Sequence, residues 1–346
     1  AMAAVARVWG CLAWLLAAWP SEAAGPVLLA IGDWGGLGNW FPTTPPQVDT
    51  AAGMADVARR MGATAALLLG DNFYQNGVPE VHCKRFQETF EGVYSQEELE
   101  KIPFWVVAGN HDHRGNVSAQ IAYSGVSQRW RFPSEYYNLT YGWTTSSGET
   151  RTAEILMIDT VRLAGLSDDA CQGCPLPGPQ EALRAESQWS WLEARLSTST
   201  ADFLWVAGHY PVYSAGSDGT TEELVNRLLP LLQRHNAHYI SGHDHMLEHI
   251  TFGAVQMFVT GAGMECCYLP TKRDTVPSGA LKYMISGPFA SGPSVGKKPS
   301  TRVSGGFATM EFLDESVQVA FHDQHGAELY AAPAIPRRSP AEALVV

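Results

Sequence analysis

The stretch VLLAIGD, residues 27–33, is five apolar residues closed by a glycine and an aspartate. Apolar side chains at every position, without the alternation of a half-buried strand, predict a strand covered on both faces. The same sentence recurs in AALLLGD (65–71), FWVVAGN (104–110), FLWVAGH (203–209) and HYISGH (238–243), each ending in glycine and a side chain able to hold a metal. One Gly-Asp or Gly-His pair is an ordinary turn; five, each closing a strand-like run, form a pattern. Segments of helical periodicity lie between them, at 48–62, 180–196 and 222–235, so the chain reads as α/β with sheets buried under helices. In such folds the residues just past the C-terminal ends of the strands gather into one site. The glycines let the backbone turn close to that cluster, where a side chain would obstruct it.

Those strand ends supply Asp33, Asp71, Asn110, His209 and His243, and two near neighbours, Tyr74 in GDNFY and His245 in GHDH, raise the set to seven donors. Seven exceed the roughly six positions of an octahedral ion before any water binds, so two ions are expected, with one carboxylate bridging. A pair of ions ~3.5 to 4 Å apart clamps both ends of an in-line displacement at phosphorus. Outside this constellation Tyr74 would read as a buried aromatic and Asn110 as a turn cap.

Composition narrows the classes. A chain of 346 residues that is 45% hydrophobic and 17% charged can bury a full core, and it carries no low-complexity block. A net charge of -12, with lysine and arginine scattered, excludes nucleic acid binding. It also repels anionic substrates at long range, so phosphate chemistry would depend on positive charge inside the site. Residues 1–23 have the layout of a secretory signal peptide: Arg7, an apolar run from Val8 to Trp19, Pro20, then small residues with cleavage after Ala23. No later stretch is long and apolar enough for a transmembrane anchor. Export makes the sequons at Asn116 and Asn138 glycosylation candidates. Five cysteines follow the cleavage point, an odd number that leaves at least one thiol free or paired between chains. Cys171 and Cys174 form a CxxC, expected as a local disulfide or as free thiols in a loop.

The series GDWG, GDNFY, GNHD, AGHYP and GHDH resembles the metallophosphoesterases, and Tyr74 within GDNFY matches the purple acid phosphatases in particular. KRFQETFE (84–91) and AGNHDHRGNVSAQIAYS (108–124) look like the small vertebrate members of that family, and the likeness spans the mature chain. The resemblance implies an α/β four-layer metallophosphoesterase fold, a β-sandwich of two mixed sheets flanked by helices. One catalytic domain would occupy 24–331, followed by a loose Pro-rich tail at 332–346. The family pattern implies Asp33, Tyr74 and His245 on Fe(III), Asn110, His209 and His243 on a second divalent ion, and Asp71 bridging. That second ion is Fe(II) in animal relatives and Zn or Mn in many plant ones. Hard phenolate and carboxylate oxygens suit Fe(III), and an amide oxygen with two imidazoles suits a divalent ion. The implied activity is acid phosphatase: hydrolysis of phosphomonoesters, among them phosphoproteins, nucleotides and small phosphate esters, by attack of a hydroxide held on the metals. His111 is the candidate to stabilise the phosphoryl oxygens or protonate the leaving group. The expected setting is a monomer, secreted or lysosomal.

Departures from the family matter. Asp218 stands where the vertebrate enzymes carry a histidine near the site, and Ala164 and Glu223 replace the family's disulfide. The Gly- and Pro-rich loop 163–183 aligns with a segment that in the family represses activity until an activating protease cuts it. Asp168 is the aspartate aligned with the one that reaches toward the metals, and the loop's CxxC adds reduction as a second trigger. A second reading stays open, a secreted iron-binding glycoprotein with a redox or transport role. His111 favours catalysis, because an iron carrier needs no proton donor.

Overall fold

The structure is a computed structural model that describes residues 25–339 except 169, 172, 289–291, 293 and 297–301. The expected signal peptide lies outside the described residues. Two mixed sheets flanked by helices form the chain, as the resemblance implied. One runs in the order β14 (Glu328–Ala331), β13 (Ser316–Asp323), β12 (Gly306–Phe312), β1 (Val27–Ile31), β2 (Ala65–Leu69), β3 (Phe104–Val107) and β4 (Trp130–Arg131), with β15 (Ile335–Pro336) paired to β13. The other runs β11 (Leu281–Ile285), β9 (Leu247–Phe252), β10 (Val255–Thr260), β8 (His238–Ser241), β7 (Phe203–Ala207), β6 (Thr150–Met157) and β5 (Tyr137–Thr144).

All five glycine-ended runs are strands. β1, β2 and β3 are parallel neighbours in the first sheet, and β7 and β8 in the second. Every residue of β1, β2 and β7 is buried, which is what their unbroken apolar composition requires.

The helix Pro45–Met61 begins earlier than its periodicity suggested. Thr44 accepts from the Gln47 backbone N–H at 3.2 Å, the Gln47 side chain returns to the Thr44 N–H at 3.4 Å, and Pro45 needs no partner in the first turn. The helix Ala182–Thr198 buries Ala185, Trp189, Leu192 and Leu196 on one face. The segment 222–235 is helical but irregular, with a wide turn over Leu224–Leu228 before Leu229–Arg234. Pro230 lies at the junction and has no N–H to continue the ladder.

The stretch expected as a loose tail from 332 is instead docked as far as it is described. Ile335 and Pro336 pair with β13, Ile335 is buried, and Arg338 donates to the carbonyls of Ser199 and Ala201 at 3.3 and 3.1 Å. An apolar anchor and a buried guanidinium outweigh the prolines that suggested a free end. The cysteines pair as Cys171 with Cys174 and Cys266 with Cys267, leaving Cys83 as the free thiol among the described residues. Among those residues no helix is long and apolar enough to cross a membrane.

Candidate metal centre

Three of the donors sit in backbone that side chains rarely adopt. Asp33 follows β1 with φ 58°, Asp71 follows β2 with φ 51°, and His243 follows β8 with φ 73°. Non-glycine residues in this left-handed region store about 1–3 kcal/mol each and persist where the surroundings dictate them. The glycines before the donors are close approaches, as expected. A Cβ on Gly109 would stand 2.2 Å from Asp71 Oδ1, and one on Gly242 2.5 Å from Asp33 Oδ2. The loops after β1 and β8 touch glycine to glycine, since a Cβ on Gly32 would meet the Gly242 Cα at 2.8 Å. The two sheets therefore deliver their strand ends to one place.

The seven donors fall into two groups. In the first, the Tyr74 hydroxyl lies 2.9 Å from both Asp33 Oδ1 and His245 Nε2, and His245 Nε2 is 3.6 Å from the same Asp33 oxygen. In the second, His209 Nε2 is 2.8 Å from Asn110 Oδ1 and 3.4 Å from Asp71 Oδ1. Donor atoms of Asp71, His209 and His243 lie within 4.8 Å of one another. Backbone N–H groups aim the two carboxylates: His243 N–H donates to Asp33 Oδ2 at 2.7 Å and His111 N–H to Asp71 Oδ1 at 2.9 Å. His209 is oriented by its other nitrogen, Nδ1, 2.8 Å from the Leu69 carbonyl.

Burial and charge set the protonation. Burial opposes ionisation of Asp71, but His209, His111 and His243 outweigh it and hold the carboxyl below its ordinary range. Tyr74 is pushed well above its ordinary value by burial, then by Asp33 and Asp71. Burial disfavours a charge on His245, yet its bonds to Asp33 and Glu265 push it up to about 10. A cleft of about 1120 Å³ opens onto Asp71, Tyr74, Asn110, His111, His243 and His245.

Several supporting residues escaped the sequence reading. Asp112 is wholly buried and accepts from Gly109 N–H at 2.8 Å, Asn72 N–H at 3.0 Å and Gln120 Nε2 at 2.8 Å, which locks the turn carrying Asn110 and His111. Burial, then Asp71, pushes Asp112 up to about 6. Tyr268 stacks on His245 at a centroid distance of 4.4 Å, and Glu265 Oε1 stands 3.5 Å from His245 Nδ1. Asp244 holds the loop carrying Asp218 by accepting from the N–H groups of Asp218 and Gly219 at 3.0 and 2.9 Å. Asp112 and Asp244 sit inside GNHD and GHDH, so the motifs contained a signal for them: an acid that is not a ligand but braces the turn.

The remaining candidates are placed as follows. His111 is buried at the cleft, with Nδ1 2.6 Å from the Gln75 carbonyl and Nε2 3.8 Å from Asp71 Oδ2. Nδ1 lies between the Gln75 carbonyl and Arg114 Nη1, the latter 3.1 Å away, and Nε2 is the atom facing Asp71. His113 turns away to Asp159, 2.7 Å from its Oδ2. Asp168 lines the cleft, and its carboxylate caps its own turn by accepting from Ala170 N–H at 2.9 Å. Asn138 is exposed on β5, and Asn116 is exposed at the start of a helix, where it accepts from Ala119 N–H.

With this geometry in hand, likeness to other proteins is specific. The calcineurin-like phosphoesterase family profile matches residues 26–247. Tartrate-resistant acid phosphatase type 5 of Sus scrofa is 39% identical over 325 residues, covering 92% of this chain and 89% of that protein. Purple acid phosphatase 3 of Arabidopsis thaliana is 30% identical over 258 residues, 70% of this chain and 65% of that one. Among solved structures, GAP50, the anchor in the inner membrane complex of Plasmodium, shares the fold with a TM-score of 0.71 at 24% identity over 93% of each chain. The chain belongs to the calcineurin-like phosphoesterases and, within them, to the purple acid phosphatases of the tartrate-resistant type.

Proposed function

We propose that the chain hydrolyses phosphate monoesters with two metal ions. Fe(III) would be held by Asp33, Tyr74 and His245, and a divalent ion by Asn110, His209 and His243, with Asp71 bridging. Fe(II) is the divalent ion favoured, ahead of Zn or Mn. The observation that carries this reading is the pairing of donors in two adjoining buried groups, one rich in hard oxygens and one in imidazoles. Charge supports the fit. Asp33 and Asp71 are 0% and 2% exposed, and among the described residues neither pairs with a lysine or arginine. Buried carboxylates so placed call for cations.

When bound, the ions supply Lewis acidity and generate a nucleophile from water at acid pH. The chain's own groups position and protonate. His111 Nε2 faces the site and can hold a proton for a phosphoryl oxygen or the leaving group, while Nδ1 is tied to Gln75. The loop 163–183 walls the cleft, held by Arg114 donating to the Ser167 carbonyl and Lys272 to the Gly173 carbonyl, each at 3.1 Å. The signal-peptide layout of residues 1–23 supports export to a secreted or lysosomal destination, with Asn116 and Asn138 glycosylated.

The test is the visible spectrum of the purified protein with metal content measured on the same sample. A phenolate on Fe(III) gives a broad charge-transfer band. The expected result is that band with close to two metals per chain, and its loss in Tyr74→Phe. A fully metallated, oxidised protein without colour would remove Tyr74 from the ligand set. For the loop, cutting within 163–183 or reducing Cys171–Cys174 is expected to raise kcat by loosening the cleft wall. Unchanged turnover after complete cleavage would end the idea that the loop, or Asp168 in it, represses activity.

A further inference from the structure

Seven large apolar side chains are exposed among the described residues, and four of them sit on two segments that frame the metal cleft. Leu37, Trp40 and Phe41 are 44%, 92% and 67% exposed on the turn after Asp33, and Leu269 is 53% exposed just past Tyr268. Leu37 is part of the cleft wall, as are Met264, Glu265 and Tyr268 on the other segment. Solvent-facing apolar groups scattered over a surface need no explanation, but a group concentrated at the mouth of a site does.

The turn is built to hold these side chains out. Leu37 N–H donates to the Phe41 carbonyl at 2.8 Å and Phe41 N–H to the Gly38 carbonyl at 3.2 Å. Tyr74 N–H donates to the Gly35 carbonyl at 3.2 Å, and the Arg85 guanidinium bonds the carbonyls of both Gly35 and Tyr74. The apolar turn is thus fixed to the backbone of a proposed ligand. The second segment is tied to the first, since Thr44 Oγ1 donates to the Met264 carbonyl at 2.7 Å and Met264 N–H to the Asp33 carbonyl at 2.9 Å.

Charge around the same mouth is one-sided. Asp168, Asp218, Glu222, Glu223 and Glu265 line the cleft, whereas among the described residues Lys272 is the single lysine or arginine lining it, and its ammonium bonds the Gly173 carbonyl. A leaving group bearing further phosphates or carboxylates meets acid there, and an apolar one meets Leu37, with Trp40 and Phe41 exposed beyond it on the same turn.

We infer that the cleft selects phosphomonoesters whose leaving group is apolar and carries no negative charge, the leaving group running from Leu37 out toward Trp40 and Phe41. The inference rests on the phosphatase reading and narrows it. In the reaction, water supplies the new P–O bond, the bond from phosphorus to the alkyl or aryl oxygen breaks, and that oxygen leaves as the alcohol with a proton. Inorganic phosphate is the other product. Nucleoside polyphosphates and acidic phosphopeptides would be poor substrates.

The experiment measures kcat/KM for ethyl, butyl and octyl phosphate below their critical micelle concentrations, on the metal-loaded protein and on the double variant Trp40→Ser, Phe41→Ser. The expected result is an octyl value roughly tenfold above the ethyl value, mostly through KM, since a half-open apolar lip covers only part of the chain. In the variant the octyl-to-ethyl ratio should fall toward one, and Leu37→Ser should move it the same way. Adding a terminal carboxylate to the octyl chain should erase the gain. Sedimentation with neutral phosphatidylcholine vesicles separates the sources of such esters: co-sedimentation lost in the double variant identifies a lipid surface, and none identifies soluble esters. Turnover with a flat chain-length profile, or a rising profile that the variants leave intact, overturns the inference while leaving the phosphatase reading standing. No turnover of any ester overturns both.

Discussion

Asp71→Asn is expected to abolish phosphatase turnover, by at least ~10³-fold, and to leave the purified chain with fewer than two metals. The substitution keeps the shape and removes the charge at the point where both donor groups meet. One Asp71 oxygen accepts from His111 N–H at 2.9 Å and lies 3.4 Å from His209 Nε2. An amide turned to preserve those contacts still cannot neutralise two cations or bridge them as an anion. If instead its NH2 faces His209, it presents N–H groups where a cation needs a lone pair, and it competes for the Nε2 that the Leu69 carbonyl has oriented. Circular dichroism on the same sample, beside metal analysis and kcat, separates this from misfolding. Full activity with two metals in Asp71→Asn would show that Asp71 does not bridge.

His111→Ala should behave differently, with kcat lower by about 10²–10³ and metal content unchanged. Its imidazole contributes no atom to either donor group; Nε2 stands 3.8 Å from Asp71 Oδ2, and the ring packs beside Tyr74 at a centroid distance of 4.3 Å. What it adds is a ring nitrogen, Nε2, turned into the cleft while Nδ1 is held at the Gln75 carbonyl, so that it can carry a proton there. Leaving-group dependence tells which oxygen it serves. A proton donor to the leaving group matters less for a nitrophenolate than for an alkoxide, so the loss should be much smaller with p-nitrophenyl phosphate than with an alkyl phosphate. An equal loss with both would place His111 on the phosphoryl oxygens. No loss with either would leave it a turn residue.

Much of this site was legible because each donor follows a buried strand with a glycine between them. VLLAIGD and AALLLGD are readable for two reasons at once: the strand has no polar face, and a side chain at the glycine would collide with the cluster. The bracing residues were less legible because nothing local marks them. Gln120 reaches Asp112 across eight residues, from the helix Val117–Tyr123 back to the short helix Asn110–His113, and Tyr268 meets His245 only after a hairpin has brought the chain back. The helix starts at Pro45, ahead of the periodic segment, because Thr44 and Gln47 cap each other there. The tail was misjudged because Ile335 and Arg338 find their partners on β13 and at Ser199 and Ala201, far away in sequence.

The glycine contact between the loops after β1 and β8 bears on heat resistance as well as on chemistry. Asp33, Tyr74, Asp71 and Asn110 come from the first sheet, and His209, His243 and His245 from the second. With the ligands assigned as proposed, each ion takes donors from both sheets and cross-links the sandwich along the edge where Gly32 and Gly242 pack too closely to admit a side chain. Prying the sheets apart there would mean breaking coordination, and stripping the ions would leave three left-handed residues and two buried carboxylates offset by histidines and backbone N–H groups alone. A chelator should then act as a denaturant of this edge as well as an inhibitor.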